Sequence, residues 1–158
     1  MPRIEMTTTV RATREAVFDA SVDVDLHTRS MGASAERAID GVMTGRLKVG
    51  DTVRWQAVHF GIPWRMTVRI TQFRRPSYFV DEQVRGPFTQ WRHEHNFMPD
   101  PTDPSITVMR DVIGFIAPAG PVGAVVAHLI LKPYLQRLIG RRNAFLAASV
   151  TGSACTTE

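Results

Sequence analysis

Apolar and polar positions alternate from the start of the chain. Ile4, Met6, Thr8 and Val10 fall on one side of a period of two, with Glu5, Thr7, Thr9 and Arg11 on the other, which predicts a half-buried strand over residues 3–11. Thr13 then precedes Arg14-Glu15-Ala16-Val17-Phe18, an N-cap residue before good helix formers with an apolar pair, so a short helix follows. Residues 23–31 are expected to form a second.

The stretch Val42 to Asp51, with glycines at 45 and 50, reads as loop. Beyond it Val53, Trp55, Ala57 and His59 share one strand face, and Gly61-Ile62-Pro63 reads as a turn. Trp64, Met66, Val68 and Ile70 then lie on one side of a strand, with Arg65, Thr67, Arg69 and Thr71 on the other, which is expected to meet solvent. Arg75-Pro76 and Gly86-Pro87 break the chain around strands at 78–85 and 88–98, and the proline-rich 99–104 marks a loop before a last strand at 106–116. From Ala119 to about Val150 the spacing of Val122, Val125, Val126, Leu129, Ile130, Leu135, Leu138 and Ile139 is helical.

No internal repeat or low-complexity segment interrupts this order. An antiparallel sheet with one apolar face must bury that face, and the only long element available to cover it is the C-terminal helix. The expected class is therefore α+β with a helix-grip architecture: a curved antiparallel sheet of about seven strands around a long C-terminal helix, with two short helices after strand one. Residues 1–150 are expected to form a single ligand-binding domain and 151–158 a flexible tail.

Composition narrows the field. A chain of 158 residues buries roughly 70% of its unfolded surface on folding, enough for a core without covalent staples. The single cysteine, Cys155, excludes an intramolecular disulfide and a multi-thiolate zinc site. Residues 1–14 contain no apolar run of signal-peptide type, so the cytoplasm is the expected compartment. The longest apolar run, Pro121 to Leu131, is about half of the ~20 residues a membrane span needs and reads as a buried helix face. The net charge of +4 is spread over arginines from Arg3 to Arg142 with carboxylates between them, which describes a solvated surface rather than a nucleic-acid footprint.

Three segments carry a family resemblance: Val10 to Phe18, Gly50-Asp51-Thr52-Val53-Arg54-Trp55, and Ala117 to Gly123. Through them the chain resembles the superfamily of START-related lipid-transfer domains, birch-pollen-allergen-like proteins and polyketide cyclase/dehydrases. His59-Phe60-Gly61, Phe79 to Gln83, Gly86-Pro87-Phe88 and Trp91 to His95 are similar to a bacterial subgroup of cyclase/dehydrase-like proteins. The resemblance implies a cavity between sheet and helix for lipids, sterols, hormones or polyketides, with binding alone in many members, and a shared fold does not choose an activity.

Candidate chemistry gathers on two strand faces. Period two puts Trp91, His93, His95 and Phe97 together, and Met109, Asp111, Ile113 and Phe115 together. A carboxylate beside imidazoles in an apolar pocket can orient a ring and raise its basicity, so His93, His95 and Asp111 are the candidate catalytic group. The same residues equally describe a buried polar network that supports the sheet. His-x-His on a strand, with His59 inward on another, also has the residue types of a three-imidazole zinc site, although the working assignment holds no metal and no cofactor. Trp55, His59, Trp64, Met66, Glu82, Trp91, Phe97, Met109 and Phe115 are expected to line the cavity, with Glu82 or Asp81 paired to Arg54, Arg85 or Arg110. His27 and His128 read as surface or satisfied-core residues.

No phosphate-binding glycine loop, nucleotide fingerprint or nucleophile elbow occurs. The expected partner is a small hydrophobic molecule, with a monomer or homodimer as the assembly. The alternatives are a cyclase or dehydratase using His93, His95 and Asp111, and a protein-interaction module, to which the basic residues Lys132, Arg137, Arg141 and Arg142 would belong.

Overall fold

The alternating N-terminus forms β1 (Arg3–Val10), and Thr13 caps α1 (Arg14–Ser21) by accepting a hydrogen bond from the Ala16 N–H at 3.4 Å. The computed structural model describes residues 1–153 of the chain. Asp23 caps α2 (Val24–Ser30) in the same way through Leu26. Next come β2 (Arg37–Gly41), β3 (Thr52–His59), β4 (Ile62–Arg74), β5 (Tyr78–Arg85), β6 (Gln90–Pro99) and β7 (Thr107–Ile116). They make one antiparallel sheet in the order β1-β7-β6-β5-β4-β3-β2, so every neighbour after β1 is a meander partner and β7 returns to lie beside β1.

The C-terminal helix has three parts: α3 (Gly120–Val126), a π-helical turn over Ala127–Leu131, and α4 (Lys132–Ser153). The π turn falls where Pro133 removes an N–H and would crowd the carbonyl of Leu129 in an unbroken α-helix. The helix-grip architecture follows: the sheet presents Val53, Trp55, Val68, Phe79, Trp91, His93, His95 and Ile113 toward a helix that returns Leu135, Ile139, Arg142 and Leu146.

Several expectations need correction. β2 was not anticipated, because Arg37-Ala38-Ile39-Asp40-Gly41 lacks alternation; as an edge strand paired only with β3, and with a bulge between Ala38 and Asp40, it needs none. The β3–β4 turn is Phe60-Gly61, both at positive φ, with His59 opposite Ile62, so Pro63 belongs to β4 rather than to the turn. The run Pro121–Leu131 is not a buried face: Val122 and Leu129 are 70% and 72% exposed, and among its residues only Gly123 and Ala127 are buried. Gly123 is required there, since a Cβ would come within 1.7 Å of the Pro118 carbonyl oxygen. The continuous helix Gly120–Thr151 is long and apolar enough to cross a membrane by length and composition, which the shorter run is not. Its last four turns nevertheless pack on the sheet through Ile139, Asn143 and Leu146. The expected tail from 151 begins as helix through Ser153, and 154–158, with Cys155, lie outside the described residues.

Two core clusters flank the space under the helix. In the first, the Phe18 ring meets Phe73, Phe79 and Phe97 edge-on at centroid distances of 5.2, 5.5 and 5.3 Å. The second gathers Ile4, Trp91, Ile113, Phe115, Ala127 and Ile139. Arg75 fastens the β4–β5 turn to α1 through two hydrogen bonds to Asp19, at 2.8 and 2.9 Å.

Replacing Phe97, which is 1% exposed within the first cluster, by alanine is expected to lower unfolding free energy by about 3–5 kcal/mol, as for other buried aromatics. Urea denaturation followed by tryptophan fluorescence measures it, and a loss under about 1 kcal/mol contradicts the packing described.

Candidate functional site

β6 alternates, so Trp91, His93 and His95 enter the space between sheet and helix while Arg92 and Glu94 leave it on the outer face. The antiparallel register then sets Asp81 of β5 opposite His93 and Asp111 of β7 opposite His95. The two imidazoles lie 3.7 Å apart between centroids, tilted 31°, with a carboxylate on either side. His93 Nε2 is 2.8 Å from Asp111 Oδ1, and His95 Nε2 is 2.9 Å from Asp81 Oδ2. The second Asp111 oxygen accepts from Asn143 Nδ2 of α4 at 2.7 Å, and Trp91 Nε1 donates to Asp81 at 3.3 Å. His95 Nδ1 sits 3.1 Å from Asp111 Oδ1, close enough for charge attraction, but without the alignment of a hydrogen bond, and it has no other partner.

These contacts separate the two rings electrostatically. Burial works against a charge on His95, but the close attraction of Asp111, with the hydrogen bond to Asp81 and that carboxylate's charge, outweighs it and raises its pKa above the ordinary histidine value of 6.5. His93 moves the other way, lowered by burial and by the neighbouring His95 despite Asp111 and Asp81. Burial alone would raise the carboxyl of Asp111, and the two imidazoles reverse that and hold it well below the usual 3.8. Asp81 is lowered on the same grounds, with Trp91 helping. The arrangement therefore favours a proton on His95 over one on His93, between two carboxylates whose ionised form the rings stabilise.

Beneath the helix lies a cavity of about 670 Å³. Trp55, His59, Trp64, Met66 and Trp91 line it as the sequence suggested, as do His93 and His95. Glu82 does not. Its side chain is 38% exposed and lies 3.5 Å from Arg92 on the outer face, because β5 turns Phe79 and Asp81 inward. Phe79 and Val80 are both apolar, so alternation alone left a tie, and packing of the larger ring on Phe18 and His95 breaks it. Phe97, Met109 and Phe115 face the correct side but are spent in the two core clusters and do not reach the cavity. Asp111, fully buried, sits behind the imidazoles.

A second polar group occupies another part of the cavity wall. His27 is bonded to Glu36 at 2.6 Å and lies over Trp55 at 4.3 Å, while His59 Nδ1 is 2.6 Å from the Tyr134 hydroxyl. Burial lowers the His59 pKa, partly offset by the charge of Glu36. His59 thus stands apart from the other two histidines, and the three-imidazole set does not assemble. Asp81, His93 and His95 do: one ligand atom from each lies within 4.8 Å of the others, a two-histidine, one-carboxylate set that could hold a metal ion. Glu36, Tyr134, Arg142 and Asn143 were missed as site residues. For the last three a signal existed, since they continue the helical spacing of Leu135, Leu138 and Ile139.

No family model and no curated protein matches the chain. Among solved structures, a Thermus thermophilus protein superposes with a TM-score of 0.76 at 15% identity, over 96% of this chain and 99% of its own. An aromatase/cyclase from a Streptomyces species gives 0.64 at 17% identity, over 97% and 93%. A major latex-like protein from Panax ginseng gives 0.64 at 11%, over 94% and 96%. The chain has the helix-grip fold, which it shares with these proteins.

In an NMR titration of the imidazoles, His95 is expected to titrate above 6.5 and His93 below it, and Asp111→Asn is expected to lower both. The sign for stability follows from linkage. The His95 contribution is complete below about pH 6.5 and lost as pH rises through its folded pKa, whereas those of Asp111 and Asp81 are complete above about pH 4 and lost as pH falls through theirs. Asp111→Ala, which leaves a buried imidazolium with one carboxylate fewer, is expected to cost about 3–5 kcal/mol in urea denaturation near pH 6.

Proposed function

We propose that this protein binds a small hydrophobic molecule, lipid-, polyketide- or aromatic-like, without covalent attachment, in the cavity between sheet and helix. The observation that carries the reading is the cavity itself: about 670 Å³ in volume, walled by Trp55, Trp64, Met66, Phe88, Trp91 and Leu135, with polar groups restricted to a few positions. Ligand sites of about 300–1,000 Å³ with that balance are typical of small-molecule binding. An interaction module would have no use for such a volume. Val122, Val126, Ile130 and Phe60, which line the cavity and are exposed, add an apolar surface at its edge, across which an apolar molecule could pass. A monomer or homodimer in the cytoplasm suits the same reading, supported by a fold shared with an aromatase/cyclase and a latex-like protein.

A second reading is favoured by one specific feature, the opposite displacement of the two adjacent imidazoles. His93, whose proton affinity is lowered, and His95, whose proton affinity is raised, face one cavity as the base and acid that a cofactor-free cyclization or dehydration of a carbonyl compound needs, with Asp111 and Asp81 holding the rings.

Native mass spectrometry of freshly purified protein, with displacement of an apolar fluorescent probe, tests the first reading. Met66→Trp, which fills the cavity, is expected to reduce probe affinity at least about tenfold while the fold persists; unchanged affinity contradicts a ligand in this space. For the second, His93→Asn is expected to lower turnover of a carbonyl substrate by about 10²–10⁴, and full turnover in that variant removes the acid–base role.

A further inference from the structure

Arg142 is out of keeping with the wall it belongs to. It follows Leu138 by one helical turn on the inward face of α4, lines the cavity, and is only 4% exposed. The two arginines nearest in sequence, Arg137 and Arg141, are exposed. Its hydrogen bond is one from Nη1 to Asn143 Oδ1 at 3.1 Å. Among the described residues no carboxylate comes within ion-pair distance of it: Asp111 is taken up by His93, His95 and Asn143, and Asp81 by His95 and Trp91. A guanidinium carries five N–H donors, and taking its charge out of water without an anion is costly. The remaining donors have the cavity before them.

We propose that Arg142 binds the anionic head of the ligand, so that the natural ligand class is an amphipathic carboxylate: an apolar body against Trp55, Trp64, Met66 and Trp91, and a carboxylate on the guanidinium. A planar fork of N–H groups matches a carboxylate in two-point geometry, and the low-dielectric surroundings strengthen the pair. The inference rests on the reading of the cavity as a ligand site and adds the chemistry of the head group. Neutral lipids and alcohols would fill the same volume but leave the guanidinium unpaired, which is the basis of discrimination.

The test is displacement of an apolar fluorescent probe from the full-length protein by matched pairs: dodecanoate against 1-dodecanol, and naphthalene-2-carboxylate against naphthalene-2-methanol. The wild type is expected to bind at least one carboxylate about tenfold or more tightly than its alcohol. Arg142→Met keeps the apolar stem and is expected to abolish that preference, and Arg142→Lys to keep part of it. Alcohols bound as tightly as carboxylates overturn the inference and leave the cavity reading standing, whereas a probe and four compounds that all fail to bind overturn both. A preference that survives in Arg142→Met also overturns it, and assigns the guanidinium instead as a distant counter-charge to Asp81 and Asp111. A wild type without the preference overturns the inference whether or not a variant folds, and Arg142→Gln carries the comparison where Arg142→Met does not fold.

Discussion

Seven strands spaced about 4.8 Å apart make a sheet about 29 Å wide, while a helix with its side chains covers about 10–12 Å. One helix cannot cover one face of such a sheet. Curvature closes part of the gap, and α1 and α2 fill the side beside Phe18, where the ring cluster with Phe73, Phe79 and Phe97 forms. The second cluster, around Phe115 and Ile139, fills the side nearer β1. Between them the large side chains of Trp55, Met66, Trp91 and Leu135 line the space without filling it. The cavity is what remains when a wide sheet is gripped around a single helix.

That gap also explains the polar network. β5, β6 and β7 run side by side between β4 and β1, and across their inner face His93 pairs with Asp111 and His95 with Asp81. Asn143 ties the same carboxylate to α4 and reaches Thr8 on β1 at 3.3 Å, so helix, β1 and β7 meet in one hydrogen-bonded group. A buried hydrogen-bonded network of this kind, in which His95 Nδ1 is left without a hydrogen bond, favours one docking of the helix, and it gives the two rings beside the cavity opposite shifts in proton affinity.

Much of this was legible in local pattern. The alternation of β1, β4 and β6, the cap at Thr13, and the single long helical run gave the architecture, and the faces of β6 and β7 brought His93, His95 and Asp111 to one place. Period two states which residues share a side. It does not state how deep each one lies, which is why Phe97, Met109 and Phe115 are core rather than cavity wall. Nor does it choose a side when both faces carry an apolar residue, and so Glu82 took the place that belongs to Asp81. The apolar run after Pro121 misled for a related reason: burial of a helix depends on what it lies against, and this part borders the cavity and solvent rather than a packed core.

The sequence by itself determined the fold class, the order of elements and the histidine–aspartate cluster, because each depends on spacing along one element or on the register of antiparallel neighbours. Only the tertiary structure decided the size of the cavity, the partner of each charge and the isolation of Arg142. In the sequence Arg142 is one of four basic residues near the C-terminus, and nothing local distinguishes it from Arg141. Rotation by one residue along α4 sends one guanidinium to water and the other into the cavity, where among the described residues no carboxylate lies within ion-pair distance of it, and that difference exists only once the helix is laid across the sheet.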